Sequence, residues 1–97
     1  MKIAHTLKQH LAANRVTVGS WITLAHPAIA EIMAHAGFDW LTVDMEHSVI
    51  TIREAEELIR VVSLCGVPAL VRLTSNNADL IKRVMDAGAS GIIGTDA

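Results

Sequence analysis

The sequence has a single cysteine and no strong excess of charge of either sign. Among its 97 residues, 8 are Lys or Arg and 10 are Asp or Glu, which gives a formal net charge of −2. The basic residues are scattered from Lys2 to Arg83, so no basic stripe is present to hold a phosphate backbone. Because Cys65 has no partner for an internal disulfide, we expect a buried, unreactive thiol there. These absences argue against nucleic acid as a partner.

Long hydrophobic runs are also absent. No apolar stretch approaches the roughly 20 residues that a membrane-spanning helix needs, and residues 1–15 form a polar amphipathic stretch without the apolar centre of a signal peptide. We therefore expect a cytoplasmic protein with no membrane partner. Hydrophobic residues make up 52% of the chain, and no linker or low-complexity segment interrupts it. A single domain over residues 1–97 is predicted.

Strand-like and helix-like segments alternate after a predicted N-terminal helix. Strands are predicted over 16–24, 40–45, 67–73 and 90–94, and helices over 27–37, 51–66 and 76–88. The inward faces are predicted to be Ile29, Ile32, Met33 and Ala36 in the first of these helices, Ile52, Ala55, Leu58, Ile59 and Val62 in the second, and Leu80, Ile81, Val84 and Met85 in the third. Strand–helix alternation is typical of a parallel sheet built from right-handed crossovers.

The number of strands indicates the architecture. Four parallel strands with intervening helices match the N-terminal half of a (β/α)8 TIM barrel, which typically takes about 250 residues. The alternative is a small doubly wound sheet. No G-x-G-x-x-G or G-x-x-x-x-G-K turn follows any strand, which disfavours the nucleotide-binding form of that fold. The prediction is therefore an α/β half-barrel.

Ionisable residues follow two neighbouring predicted strands. Asp44, Glu46 and His47 end the apolar segment "WLTVDMEHS", and Arg72 lies at the end of "VPALVRL". Sites in parallel α/β proteins form where strands reach their carboxyl ends. A carboxylate, an imidazole and a guanidinium there could serve as orienter, base and anion clamp. Taken singly, Arg72 could be a charge at the rim and Asp44 a turn cap, but their joint placement favours a site.

Longer motifs around these residues resemble a known family. "GSWITLAHPAIAEIMAHAGFDWLTVDMEHS", "VPALVRL" and "IKRVMDAGASGII" together resemble the HpcH/HpaI aldolase family, the metal-dependent class II pyruvate aldolases, from about Val18 to Ile93. The resemblance implies a (β/α)8 barrel that reversibly cleaves a 2-keto-4-hydroxy acid to pyruvate and an aldehyde. It also implies a homo-oligomer, a hexamer built as a trimer of dimers.

The resemblance further implies roles for individual residues. Arg72 would bind the pyruvate carboxylate and stabilise the enolate oxygen, a bidentate role in which Lys would not substitute. His47 would be the general acid and base on the C4 hydroxyl or its bound water, oriented by Asp44. Glu46 would belong to the local hydrogen-bond scaffold.

Two further residues match functional positions of the family, but each could instead have an ordinary structural role. Asp86, in "VMDAG", matches an Asp that approaches the active site of a neighbouring subunit, but it could simply pair with Lys82 on the helix surface. Trp21, in "GSW", matches a residue at the pocket mouth where substrate binds, but it could equally be a core aromatic.

The resemblance implies a divalent metal, Mg, Mn or Co, held by one Glu and one Asp from later strands, so we expect no metal ligands within this chain. Glu31 and His35 have the i, i+4 spacing of a metal pair, yet they lie opposite the predicted apolar stripe and are expected to be solvated. His26 lies at the predicted mouth but matches no family motif.

Three functions remain open from the sequence. The chain could carry part of a pyruvate aldolase. It could instead be a catalytically inactive truncated half-barrel that self-associates through exposed strand edges, without a complete metal site. A phosphate-handling barrel isomerase is a third reading, which the lack of a Gly-rich cradle disfavours.

Overall fold

The computed structural model describes Gln9 and residues 16–94, and it contains four strands and three helices over residues 16–94. The strands are β1 Gly19–Ile22, β2 Trp40–Asp44, β3 Ala69–Arg72 and β4 Gly91–Ile93; the helices are α1 Pro27–Ala34, α2 Ile52–Leu64 and α3 Ala78–Asp86. Each element predicted within residues 16–94 is present and somewhat shorter than expected. Apart from Gln9, the predicted N-terminal helix over 1–15 lies outside the described residues.

The strands form one parallel sheet whose order follows the chain, β1-β2-β3-β4. Each crossover therefore leads to the next strand in the same direction, and right-handed crossovers place all three helices on one face of the sheet. A doubly wound sheet reverses its strand order at a switch point. The doubly wound alternative is therefore wrong for the described residues.

The face of the sheet that the helices cover is mainly apolar and buried, with half-buried Ser20 and Ile92 on its two edge strands. It carries Ile22, Leu41, Val43, Ala69 and Val71, each with at most 1% of its surface exposed. The buried stripe of α2, formed by Ala55, Leu58, Ile59 and Val62, belongs to the same core cluster, as the spacing predicts. Burial of this apolar surface is the main contribution to the stability of the fold.

The opposite face, called here the inner face, carries the alternate residues of the strands. Apart from glycines, they are Trp21, Trp40, Thr42, Asp44, Leu70, Arg72 and Ile93. Gly19 also lies on this face, where a Cβ would lie only 1.9 Å from Cδ2 of the Trp40 ring. A side chain at position 19 is therefore excluded while the indole lies over the backbone of β1.

The buried face of α1 differs in part from the prediction. Met33 packs partly against the core as predicted, but the helix buries Ala30 and Ala34, whereas Ile32 is 70% exposed and Ala36 lies beyond the helix, exposed. Nearly every position of "PAIAEIMA" is apolar, so periodicity does not define one face. The small side chains of Ala30 and Ala34 allow α1 to lie close to its neighbours. This close packing determines how the helix is rotated about its own axis.

The other helices follow their patterns more closely. In α3, Val84 is buried and Leu80 and Ile81 pack partly against the core, but Met85 is 44% exposed and was wrongly placed inward. Thr51 and Glu54 form a reciprocal capping box at the start of α2, and their three-residue spacing is the one that predicts such a box. In the described part of the chain, no helix has the length and apolar character to cross a bilayer.

Candidate active site

A bidentate ion pair joins the ends of β2 and β3. Asp44 and Arg72 are partners in the parallel register, so their side chains leave the sheet on the same face. Nε of Arg72 donates to Oδ1 of Asp44 at 3.1 Å, and Nη2 donates to Oδ2 at 2.6 Å. Asp44 is only 2% exposed. This fork geometry fixes the guanidinium plane at the carboxyl edge of the sheet.

Asp44 also organises the loop that follows β2. Its Oδ1 accepts the backbone N–H groups of Glu46 and His47, both at 3.0 Å. The Ser48 hydroxyl donates to the Asp44 carbonyl and accepts the N–H of Ile50 at 3.2 Å. These bonds fold the loop back over the strand end, a local arrangement for which Asp and Ser are suited.

The electrostatics keep this ion pair charged at neutral pH. Hydrogen bonding from Arg72 lowers the pKa of Asp44 from 3.8 to about 2; burial opposes this, while the two backbone N–H groups and the Arg72 charge assist it. The same contact raises the pKa of the Arg72 guanidinium. Asp44 is therefore an anion that positions Arg72 rather than a proton donor at neutral pH.

Trp21 lies against Arg72 on the inner face. Cζ of Arg72 is 4.3 Å from the centroid of the Trp21 ring, within cation–π distance. Trp21 is 38% exposed and does not belong to the buried core, so the alternative of a core aromatic is wrong. Of the five N–H groups of a guanidinium, two are used by Asp44, which leaves three for another acceptor.

The imidazole of His47 contacts Glu46, not Asp44. Nε2 of His47 lies 2.8 Å from Oε1 of Glu46, and the His47 side chain is 65% exposed. The Asp44 carboxylate is occupied by Arg72 and by backbone N–H groups, one of them the N–H of His47 itself, so Asp44 positions His47 through the backbone and Glu46 contacts its ring. Orientation of a catalytic imidazole by Asp44 stays a prediction.

Two other predicted residues make no hydrogen bond or salt bridge with the ion pair within residues 16–94; His26 lies at the same carboxyl edge of the sheet, as predicted, and Asp86 does not. Asp86 is the exposed last residue of α3, and α3 runs back toward the amino edge of the sheet. Asp86 forms no salt bridge with Lys82 within residues 16–94. His26 caps α1, with its Nδ1 accepting the N–H of Ala28 at 3.2 Å. Any role of Asp86 across a subunit boundary stays a prediction.

The described residues at this edge do not form a shell for a hard divalent ion. Such ions require several oxygen ligands. Both oxygens of Asp44 already accept hydrogen bonds, and Glu46 contacts His47. Between residues 16 and 94, the sole group that could hold a metal is Glu31, His35 and Cys65, and it belongs to the helical layer.

Cys65 has a neighbour that the sequence pattern did not reveal. It directly follows α2, is half-buried, and its Sγ lies 3.9 Å from Nε2 of His35. The two residues are 30 positions apart, so only the packing of α1 on α2 brings them together.

Comparison with known proteins identifies the family. The HpcH/HpaI aldolase/citrate lyase family model matches residues 17–93. A hydroxypyruvate/pyruvate aldolase from Paraburkholderia phytofirmans is 41% identical over 85 residues, which cover 86% of this chain and 33% of that protein. A 2-dehydro-3,6-dideoxy-6-sulfogluconate aldolase from Pseudomonas putida is 36% identical over 83 residues, which cover 86% of this chain and 32% of that protein.

Comparison with solved structures gives the same family. The crystal structure of an HpcH/HpaI aldolase from Desulfitobacterium hafniense DCB-2 matches with a TM-score of 0.77 and 38% identity, over 89% of this chain and 34% of that one. The chain thus spans about a third of the length of the relatives it matches. The predicted fold, four parallel strands with intervening helices that match part of a TIM barrel, is confirmed, and the isomerase reading is not supported. The chain belongs to the HpcH/HpaI aldolase/citrate lyase family.

Proposed function

We propose that the chain supplies the keto-acid-binding part of an aldolase that reversibly cleaves a 2-keto-4-hydroxy acid to pyruvate and an aldehyde. The observation that carries this proposal is Arg72, fixed by Asp44 at the strand ends with three N–H groups free of partners in residues 16–94. Family membership supports it, as do the two named relatives, both of which are aldolases with different substrates.

Arg72 binds the carboxylate of the keto acid and stabilises the charge that develops on the keto oxygen during cleavage. The Asp44 contact and the Trp21 ring hold the guanidinium in one orientation before substrate arrives, so little reorganisation is needed. A lysine would place a single ammonium on a flexible stem and could not make both contacts at once.

His47 transfers the proton. In the cleavage direction it accepts the proton of the C4 hydroxyl, the C3–C4 bond breaks, and its electron pair passes into the pyruvate enolate while the aldehyde leaves. The enolate then takes up a proton from solvent at C3 to give pyruvate, and the protonated His47 releases its proton to solvent. Glu46 orients the imidazole through the 2.8 Å contact, which leaves Nδ1 of His47 for this transfer.

Trp21 and Asp86 have supporting roles in this proposal. Trp21 forms a wall beside the bound carboxylate, through the same ring that contacts Arg72. Asp86 completes the site of a neighbouring subunit, which requires a homo-oligomer. The hexamer and the cytoplasmic location implied earlier stay predictions.

The divalent ion that the family resemblance implies has no shell of ligands in the described residues. Its Mg, Mn or Co identity stays a prediction, as does its binding by a Glu and an Asp from later strands.

The test uses a chimera in which residues 17–93 replace the matched segment of the Paraburkholderia aldolase. The pyruvate that it releases from a 2-keto-4-hydroxy acid is measured. We expect release by the chimera and its loss in Arg72→Ala, while Arg53→Ala on the exposed surface of α2 retains activity. A chimera that unfolds cooperatively but releases no pyruvate would contradict the proposal, as would full activity of Arg72→Ala.

The self-associating half-barrel is the second candidate, and the open sheet favours it. Over residues 16–94, β1 and β4 each pair with one strand only, which leaves two edges of unpaired backbone groups. We propose that the 97-residue chain alone associates through these edges. Sedimentation of the chain over a range of concentrations tests this, and a monodisperse monomer with a sharp unfolding transition would exclude it.

A further inference from the structure

Three side chains with metal-binding atoms converge on the outer layer, where α1 packs against α2. Glu31 and His35 lie one turn apart on α1 and its C-terminal cap, and Cys65 is the C-terminal cap of α2. A carboxylate oxygen of Glu31, a ring nitrogen of His35 and Sγ of Cys65 all lie within 4.8 Å of one another.

The rotation of α1 explains why these atoms meet. Because the helix buries Ala30 and Ala34, the residues that follow them, Glu31 and His35, lie about 100° around the helix and flank the buried stripe. This flank adjoins α2, since Cys65 is 3.9 Å from His35. The sequence pattern places the pair on the opposite, solvated side, so it does not anticipate the cluster.

The donor set and spacing fit a borderline transition metal. Thiolate, imidazole and carboxylate are the ligands that Zn²⁺ takes, whereas Mg²⁺ and Ca²⁺ take oxygen. In a tetrahedral zinc site, bonds of 2.3 Å to sulfur and 2.0–2.1 Å to nitrogen put these two atoms roughly 3.6 Å apart. The observed 3.9 Å between Sγ and Nε2 needs only a small side-chain adjustment. Glu31 supplies the third ligand and water the fourth.

The location is separate from the candidate active site. Helices that follow parallel strands run back toward the amino edge of the sheet, so the ends of α1 and α2 lie opposite the Asp44–Arg72 pair. Helix C-termini carry partial negative charge, which favours a cation there.

We propose that Glu31, His35 and Cys65 form a site for a zinc-type divalent ion that ties the C-terminal end of α1 to that of α2. Binding joins residues 30 positions apart in sequence and stabilises the folded chain, because the unfolded chain does not hold the three ligands together. The proposal does not depend on aldolase activity.

Cobalt is the probe for the test. Co²⁺ is titrated into the reduced 97-residue chain, and the thiolate-to-cobalt charge-transfer band is followed, with Zn²⁺ as competitor. Because Cys65 is the single cysteine of the chain, this band reports on Cys65 alone, and a metal bound by oxygen ligands does not produce it. We expect one equivalent of Co²⁺ to bind, displacement by Zn²⁺, and a higher melting temperature with Zn²⁺.

Single variants decide the ligand set. Cys65→Ser should abolish the band and the Zn²⁺-dependent rise in melting temperature. His35→Ala and Glu31→Gln should each weaken binding by more than about tenfold, since even residues that only support ligands contribute that much. Glu57→Gln, an exposed carboxylate on α2, should bind as the unaltered chain does. Absence of the band in the unaltered chain, or equal affinity in His35→Ala or Glu31→Gln, would overturn the proposal.

Discussion

The two faces of the same four strands differ in chemistry. The helix-covered face carries mainly buried apolar side chains, whereas the inner face carries a buried carboxylate, a guanidinium, two indoles and a buried hydroxyl. Strand geometry makes this division possible, because consecutive residues point to opposite faces. In β2, Val43 belongs to the core while its neighbours Thr42 and Asp44 face inward.

The comparison shows how stability and chemistry are separated in this chain. The apolar face contributes the free energy of folding, so the inner face can hold polar groups that stabilise little on balance. Burial of the Asp44 carboxylate costs hydration, and this cost offsets much of its attraction to the partly exposed Arg72. Retention of the ion pair on the inner face is better explained by the orientation it gives to Arg72.

The largest effect is expected from Arg72. In the chimera, Arg72→Lys should lower kcat/KM for pyruvate release by roughly 100-fold to 1000-fold, the range for loss of one oriented donor. Arg53→Lys, on the exposed surface of α2, should leave kcat/KM unchanged. Equal kcat/KM in Arg72→Lys would show that a point charge suffices and that the fork geometry is not required.

A matched pair of leucine variants tests the apolar face against the inner face. Leu41 is fully buried under the helices and Leu70 is half-buried on the inner face. Leu41→Ala should lower the free energy of unfolding by about 3 kcal/mol, since it leaves a cavity in the core. Leu70→Ala should lower it by only about 1 kcal/mol. Urea unfolding of both variants gives the comparison, and equal losses would contradict the division of roles.

Acid should remove the stability that ionised Asp44 contributes on the inner face. Because the pKa of Asp44 is about 2 in the folded chain against an ordinary 3.8, its contribution is complete above pH 3.8 and is lost as pH falls through about 2. Ionised Asp44 therefore stabilises the fold by at most about 2 kcal/mol relative to protonated Asp44, since each pKa unit corresponds to 1.36 kcal/mol; this is not the net value of the ion pair relative to apolar side chains. Asp44→Asn removes the titrating group, so the difference in unfolding free energy between the two proteins should shrink as pH falls. A difference independent of pH would contradict the depressed pKa.

The smallest effect is expected from Thr42. Its buried hydroxyl has no hydrogen-bond partner in the described part of the chain. Thr42→Val keeps the shape and removes this unpaired group, so it should raise the free energy of unfolding by about 1 kcal/mol. Chemical denaturation measures the change. A loss of stability would mean that the hydroxyl has a partner, such as water, in solution.

The sequence predicts the sheet and the position of the site, but not the contacts within it. The apolar stripe of α2 and the strand ends at Asp44 and Arg72 are visible because local patterns define them. The pairing of Asp44 with Arg72 depends on strand register, and that of His35 with Cys65 on the rotation of α1. These are long-range properties that no local pattern encodes. The contact between Glu46 and His47 could have been predicted from their adjacency in the sequence. Asp44, three residues before His47, was an equally reasonable candidate for the carboxylate that orients the imidazole.

The most direct test of the central claim is exchange of the pyruvate methyl protons for deuterium, because it reports enolate formation without requiring the aldehyde to be known. Pyruvate in D₂O is incubated with the chimera carrying residues 17–93, and the methyl signal is followed by proton NMR. The account predicts loss of the signal with Arg72 present and its persistence in Arg72→Ala. Equal exchange rates in the two proteins, or no exchange in a folded chimera, would contradict the assignment of Arg72 as the group that binds the keto acid.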